Sequence, residues 1–457
     1  MAESRSNIES RPNPADIRSS RPLSSVSHAW RALRHRNFQL YFVGQGISVI
    51  GTWMTRVATT WLVYQLTHSA LLLGVVTFAG QIISFLLGPF AGVWVERLER
   101  RKLLLATQAA AAVQSLALAG LVLAHRITLT EIIALTALQG VINAFDMPGR
   151  QSFLVQMVDD RNDLSNAIAM SSSLANGGRL IGPAIAGMVI AAAGTGWCFF
   201  VDGVSYLAVI ASLLLMRIQT QPRSRSHATM FTQVREGWDY VRSFEPVRAI
   251  LLIFAFMSLM GYSYAVILPI FAVQVLHGGA TTLGWLTAAS GVGALASAIT
   301  LAARKSVVGL TRTVQIACAL LGAGLVFFGL SYTLWLSLVL MVLVGFGLMQ
   351  AASACNTIVQ SLVPEDKRAR VMSYYTMAFF GSAPFGSLMA GALAHRFGAP
   401  HTVLFTGASV LVGTIWFTFQ LPRINRTMHP IYAEKGLIPE HEITAAPEPN
   451  QAAANSY

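Results

Sequence analysis

The sequence predicts an all-α polytopic membrane protein, with twelve transmembrane helices in two six-helix bundles related by pseudo-two-fold symmetry. Three observations predict it. Of 457 residues, 54% are hydrophobic and only 11% are charged, with a mean hydropathy of +0.56; soluble domains carry about 25% charged residues. The charges are also segregated. Ala249 to Ala303 is 55 residues without an Asp, Glu, Lys or Arg, and Thr313 to Pro364 is 52 more. A span takes about 20 apolar residues, so each interval holds two spans and a turn. Finally, two segments align at a constant offset of 204. Val155-Gln156 matches Val359-Gln360, and Gly182 and Gly187 match Gly386 and Gly391. Both run from the fourth span of a half into the fifth, as parallel repeats about a membrane-normal axis would.

The apolar runs give the elements in order. The first six spans are Phe38 to Leu66, Ala70 to Val95, Leu103 to Ala124, Thr128 to Met147, Ile168 to Ala193 and Trp197 to Met216. The next six are Ile250 to Val273, Leu283 to Ala303, Thr313 to Ser331, Leu334 to Val359, Val371 to His395 and His401 to Leu421. Short turns join most of them. The exception is the basic connector at 217–245, where Phe231, Val234, Trp238, Val241 and Phe244 recur at helical spacing among charged residues. That pattern predicts an amphipathic helix on the membrane surface. The chain divides into a basic tail (1–36), a bundle (37–216), the linker (217–245), a second bundle (246–421) and a tail (422–457). Both tails are polar and read as disordered, and the first holds no apolar core of the kind a cleaved signal needs.

Lys and Arg orient the chain. Twenty-eight fall on the side of the two tails, two (Arg126 and Arg396) on the other, and two (Arg56 and Arg179) inside spans. Both termini are therefore expected in the cytoplasm, with the basic loops facing membrane lipids. The net charge of +12 then needs no nucleic acid to explain it. The three cysteines (Cys198, Cys318, Cys355) lie in apolar runs, with no C-x-x-C or Cys/His cluster for a metal. No phosphate-binding G-x-x-x-x-G-K-[ST] loop, H-E-x-x-H or G-x-S-x-G occurs, so an ATP-driven pump, a cofactor-dependent reaction and a membrane enzyme are all disfavoured.

The loop after the second span reads Gly92-Val-Trp-Val-Glu96-Arg97-Leu-Glu-Arg100-Arg101-Lys102. Its glycine permits close helix approach, and its acid and basic cluster sit where helix ends meet headgroups. It resembles the G-x-x-x-D-R-x-x-R-R-K motif of the major facilitator superfamily, with Glu for Asp. The resemblance implies that Glu96 and Arg100 latch the two bundles at the cytoplasmic gate. In the fifth span, Gly178-Arg-Leu-Ile-Gly182-Pro183-Ala-Ile-Ala-Gly187 resembles that superfamily's antiporter motif, which implies a hinge and seal favouring export; small residues at this spacing also simply pack helices tightly. Asn37-Phe38, Gly51-Thr-Trp-Met54, Trp61-Leu-Val-Tyr64, Phe145-Asp146-Met-Pro148-Gly-Arg150-Gln151 and Asn176-Gly-Gly-Arg179 resemble the bacterial branch of enterobactin exporters and macrolide-type efflux pumps. That resemblance implies a bacterial inner-membrane protein. One departure stands out: the superfamily's fourth-span motif has Arg three residues before Gln139-Gly140, and here Thr136 occupies it.

Charges inside spans are costly and face a cavity or a partner. Asp146 and Arg150, four apart, are expected to pair at the gate. Arg56 and Arg179 are candidates for the cavity or for a structural ion pair, Arg56 with Asp202. No span of the second half contains Asp or Glu, so proton coupling through a carboxylate falls to Asp202 and Asp146, then Glu131. Aromatics such as Trp53, Tyr262, Phe379 and Phe380 line a cavity or pack the core. The leading expectation is a monomeric secondary exporter of bulky amphipathic molecules, siderophores or drugs, by proton antiport. Uptake of a small solute, or a scaffold or sensor that transports nothing, are the alternatives.

Overall fold

The computed structural model describes residues 31–158, 160, 163–217, 230–304 and 306–435. They fold into helices and turns without strands. A 3₁₀ turn at Arg31–Arg34 leads into α1 (Arg36–Thr67), α2 (Ala70–Arg97), α3 (Arg100–Leu123), α4 (Leu129–Leu154), α5 (Leu164–Ala193) and α6 (Thr195–Leu215). The linker helix α7 (Met230–Ser243) follows, then α8 (Glu245–Phe256) and α9 (Tyr264–Ile270) within the seventh span. The chain ends with α10 (Ala280–Ala302), α11 (Leu310–Gly329), α12 (Leu334–Leu362), α13 (Glu365–Phe397) and α14 (Ala399–Glu434).

Eleven spans among the described residues are long and apolar enough to cross a membrane. The other long helix, α1, is 32 residues but carries Thr52, Thr55, Arg56, Thr59 and Thr60 in its middle. It packs against α5 and α6, with Thr55, Thr59 and Thr60 half-buried and Thr52 and Arg56 exposed. Two boundaries move. The first is the expected end of the last span at Leu421: α14 runs on to Glu434, where Tyr432 is buried and meets Ser361 Oγ at 3.2 Å. Lys435 Nζ then donates to Ser361 O at 2.7 Å. The second is the expected tail boundary at 36, because Ala32 N already donates to Asn166 Oδ1 at 3.0 Å. The seventh span is no continuous α-helix. Two π-helical stretches, Met257–Gly261 and Phe271–Val275, flank α9, each adding one residue to a turn.

The two halves repeat one packing scheme. In the first, α1 packs on α5 and α6, α3 on α4 and α6, and α2 on α4. In the second, α8 packs on α13 and α14, α11 on α12 and α14, and α10 on α12. Each pairing is its counterpart six spans on. Between the halves, α5 meets α10 and α13 meets α2, an exchange that a two-fold axis requires.

Glycine makes both seams close. A Cβ on Gly187 would lie 2.9 Å from Ala280 O and 3.1 Å from Gly284 Cα. A Cβ on Gly391 would lie 2.7 Å from Ala70 O and 3.0 Å from Gly74 Cα. Gly187 and Gly391 are the residues paired by the 204-residue repeat. Both contacts lie toward the helix ends remote from the chain termini. Toward the termini the same faces part. Ala169 is 18 residues before Gly187, five turns along α5, and it is exposed, as are Ser172 and Ser173. Ser373, equally placed before Gly391, is exposed with Thr376 and Phe380. The bundles thus touch at the far end and separate on the terminal side. There α7 lies on the start of α13: Glu236 pairs with Arg370, Trp238 meets Tyr374 at 5.9 Å, and Lys367 sits 5.0 Å over the Tyr240 ring.

Candidate substrate and coupling site

The charged residues within the spans sort into three places. On the terminal side of the first bundle, Asp146 is 7% exposed. It accepts from Thr107 Oγ1 at 3.0 Å and Gln108 Nε2 at 2.7 Å, both on α3, and it pairs with Arg150 one turn along α4. The second bundle has Gln350 at the position 204 residues on, where it accepts from Ser297 at 2.8 Å and Thr300 at 3.2 Å. There a neutral amide bonds α10, the counterpart of α2, whereas Asp146 bonds α3.

Asp202 lies at the junction of α1, α3 and α6, 1% exposed. Its Oδ2 accepts from Thr55 Oγ1 at 2.8 Å and Ser115 Oγ at 3.0 Å, while its buried Oδ1 has no protein partner. Gly51 makes room, since a Cβ there would sit 2.8 Å from Oδ1. The expected Arg56–Asp202 ion pair is not formed. Thr55 takes the carboxylate, and the roughly 100° turn per helical residue sends Arg56 elsewhere.

Arg56 instead lies 4.7 Å from the centroid of the Trp53 ring, and Arg179 of α5 lies 5.8 Å from that same ring. Both distances are within cation–π range. Gly182 seats the indole: a Cβ there would come 2.5 Å from Trp53 Cβ. Gly178 packs on Val49 in the same way, Pro183 presents its carbonyl to Gly284 at the α10 seam, and Gly187 completes that seam. The Gly/Pro motif therefore presses α5 onto α1 on one side and onto α10 on the other. The Arg179 backbone abuts α10, since a Cβ on Gly291 would lie 2.9 Å from Arg179 O; one residue before Gly291, Ser290 Oγ lies 2.9 Å from the Tyr264 hydroxyl of α9. Arg56, Trp53 and Arg179 thus form one cluster at the α5–α10 seam between the bundles. Among the described residues, neither arginine has a carboxylate within 4.0 Å.

The other candidates fall outside this cluster. Glu131 belongs to a capping box: its Oε2 accepts from Thr128 N at 2.8 Å, and its own N–H donates to Thr128 Oγ1 at 3.5 Å. Arg101 donates to the α6 carbonyls Leu213 O at 2.9 Å and Leu214 O at 2.8 Å. Arg100 opens α3, where neighbouring Glu99 and Lys102 pair at 2.7 Å. Gly92, Glu96 and Arg97 end α2, and their side chains lie outside the described residues. Of the aromatics, Phe254 is core, stacked on Tyr375 at 4.4 Å and Phe379 at 5.2 Å, whereas Phe380 is 47% exposed. Sequence reasoning missed Thr107, Gln108, Thr55 and Ser115, which engage the two carboxylates, and the central place of Trp53. Polar residues within apolar spans were the available signal.

The family model described as transmembrane secretion effector, from the major facilitator superfamily, matches residues 27–445. The chain belongs to this family. Among curated relatives, the staphyloferrin A transporter of Staphylococcus aureus is 24% identical, covering 85% of this chain and 96% of its own. The multidrug efflux pump Tap of Mycolicibacterium fortuitum is 26% identical over 82% of this chain and 93% of its own. The enterobactin exporter EntS of Escherichia coli O9:H4 is 24% identical over 79% and 85%. A solved POT family transporter in complex with 5-aminolevulinic acid shares the fold, with a TM-score of 0.68 and 13% identity over 85% of this chain and 96% of its own. The protein is a multi-pass membrane transporter of small molecules.

Proposed function

We propose that the protein is a secondary active exporter of bulky amphipathic molecules, siderophores or drugs, working by alternating access and driven by proton antiport. The observation that carries this reading is the asymmetry of the two seams. They are closed glycine-to-backbone at the far end and parted on the terminal side, and the 28-to-2 distribution of basic residues supports a cytoplasmic position for that side. A conformer open to the cytoplasm is one of the two states that alternating access requires, and in an exporter it is the one that loads cargo. Relatives that export a siderophore and pump out drugs support the direction.

Asp202 is the proposed proton site and α1 the coupling element. Thr55 of α1 bonds the carboxylate, while Arg56 and Trp53, one and two residues away, belong to the seam cluster. A proton arriving at Asp202 weakens its hold on the Thr55 hydroxyl and frees α1 to shift, carrying Trp53 and Arg56 with it. Glu96 and Arg100, with Asp146 and Arg150, would close the cytoplasmic gate once cargo has moved outward. The protein works as a monomer, its basic loops against lipid headgroups.

A deletion strain tests the direction. Loss of siderophore secretion, or greater drug susceptibility reversed by the cloned gene, is expected. Reduced accumulation of the affected compound in the deletion strain would mean uptake and overturn the reading.

A further inference from the structure

Two guanidinium groups sit at the seam between the bundles with no carboxylate in reach among the described residues. Charges at membrane depth persist when a partner or water meets them. The described part of the chain offers no acidic partner here. The second bundle has no carboxylate in any span, Asp146 is bound to Arg150, Thr107 and Gln108, and Asp202 is turned into the first bundle toward Thr55 and Ser115. Nothing acidic among these groups faces the seam to recruit a cation. A guanidinium presents a planar fork matched to carboxylate oxygens, and the Trp53 ring, with both guanidiniums over it, gathers the two charges at one place on the seam.

We infer that Arg56, Arg179 and Trp53 form a recognition site for a multiply charged organic anion, so that the cargo is a polycarboxylate or similar planar polyanion and not an organic cation. This rests on the transporter reading and narrows it. The Arg179 backbone abuts Gly291 of the opposite bundle, so an anion held by both arginines is held where the two bundles move past each other.

Calorimetry on the purified full-length protein tests the assignment, with benzene-1,3,5-tricarboxylate as the anionic probe and tetraphenylphosphonium as the cationic one. The anion is expected to bind. Arg56→Gln and Arg179→Gln should each weaken it about tenfold or more, the effect of removing one charged hydrogen-bonding partner. Arg56→Lys and Arg179→Lys should recover part of the loss, and Glu131→Gln should match wild type. Gel filtration identifies any variant that fails to fold, and the lysine pair then carries the comparison. Unchanged anion affinity in folded Gln variants overturns the assignment. So does binding of the phosphonium alone, or of neither probe. Counterflow in proteoliposomes separates the two readings. Anion binding without movement would sink the transporter reading and leave the site, whereas movement of the phosphonium alone would sink the site and leave the transporter.

Discussion

Gly187→Ala is the sharpest perturbation of the closed seam. The added methyl would lie 2.9 Å from Ala280 O and 3.1 Å from Gly284 Cα, against a comfortable separation of about 3.5–4.0 Å. Both obstacles are backbone, so no rotamer change relieves the clash and α5 and α10 must move apart. Overpacking of this kind costs about 1–3 kcal/mol. The cost applies to the conformer in which the seam is shut and lapses where it is parted. The equilibrium should then shift toward outward opening by roughly 5- to 150-fold. Spin labels at the exposed positions Arg126 and His401, one in each half, report the separation by pulsed electron resonance. The three native cysteines are buried, so labelling is confined to introduced thiols. A longer-distance population should appear in Gly187→Ala and grow in the double variant with Gly391→Ala, whose seam shares no helix with the first. A wild-type distance distribution in both, with only a fall in thermal stability, would refute the view that this seam distinguishes the two conformers.

Three further outcomes concern single groups. Asp146→Ala leaves Arg150, Thr107 and Gln108 without their shared acceptor and should destabilise the detergent-solubilised protein by about 3 kcal/mol, read as a fall in Tm; adding Arg150→Gln should restore part of it. Arg101→Ala removes two hydrogen bonds from the last α6 carbonyls and should cost about 1–2 kcal/mol, with local amide exchange rising around Leu213. Glu131→Ala breaks the capping box at the start of α4 for about 1 kcal/mol, and transport at saturating substrate should stay at the wild-type rate; a proton-coupling defect in that variant would restore Glu131 to the coupling set.

The spans and the inventory of membrane-embedded charge were legible because a bilayer penalises charge so strongly that the survivors stand out. Asp146 and Arg150 could be paired on helical spacing alone. Partners across helices were not legible: Thr107 and Gln108 meet Asp146, and Thr55 and Ser115 meet Asp202, through rotations that no single-helix pattern encodes. Arg56 shows the limit well, since its distance along the chain from Asp202 says nothing about which face of α1 it occupies. Glu131 was readable but misplaced: Thr128-Leu-Thr-Glu131 is an N-terminal capping pattern, and an acid there is satisfied locally. The extension of α14 was hidden because Arg423, Arg426 and His429 look like a polar tail, whereas Ile424, Met428 and Tyr432 form a buried face at helical spacing.

Proton movement in vesicles bears most directly on the claim that an exporter is coupled at Asp202. The purified protein, reconstituted with a pH-sensitive dye inside, should release protons inward or outward only when transported substrate moves the opposite way. Asp202→Asn keeps an oxygen that can accept from Thr55 and Ser115 and should fold normally. It should retain substrate counterflow while losing substrate-dependent proton flux. Proton flux at the wild-type rate in Asp202→Asn, or none in the wild-type protein during active transport, would contradict coupling at this carboxylate.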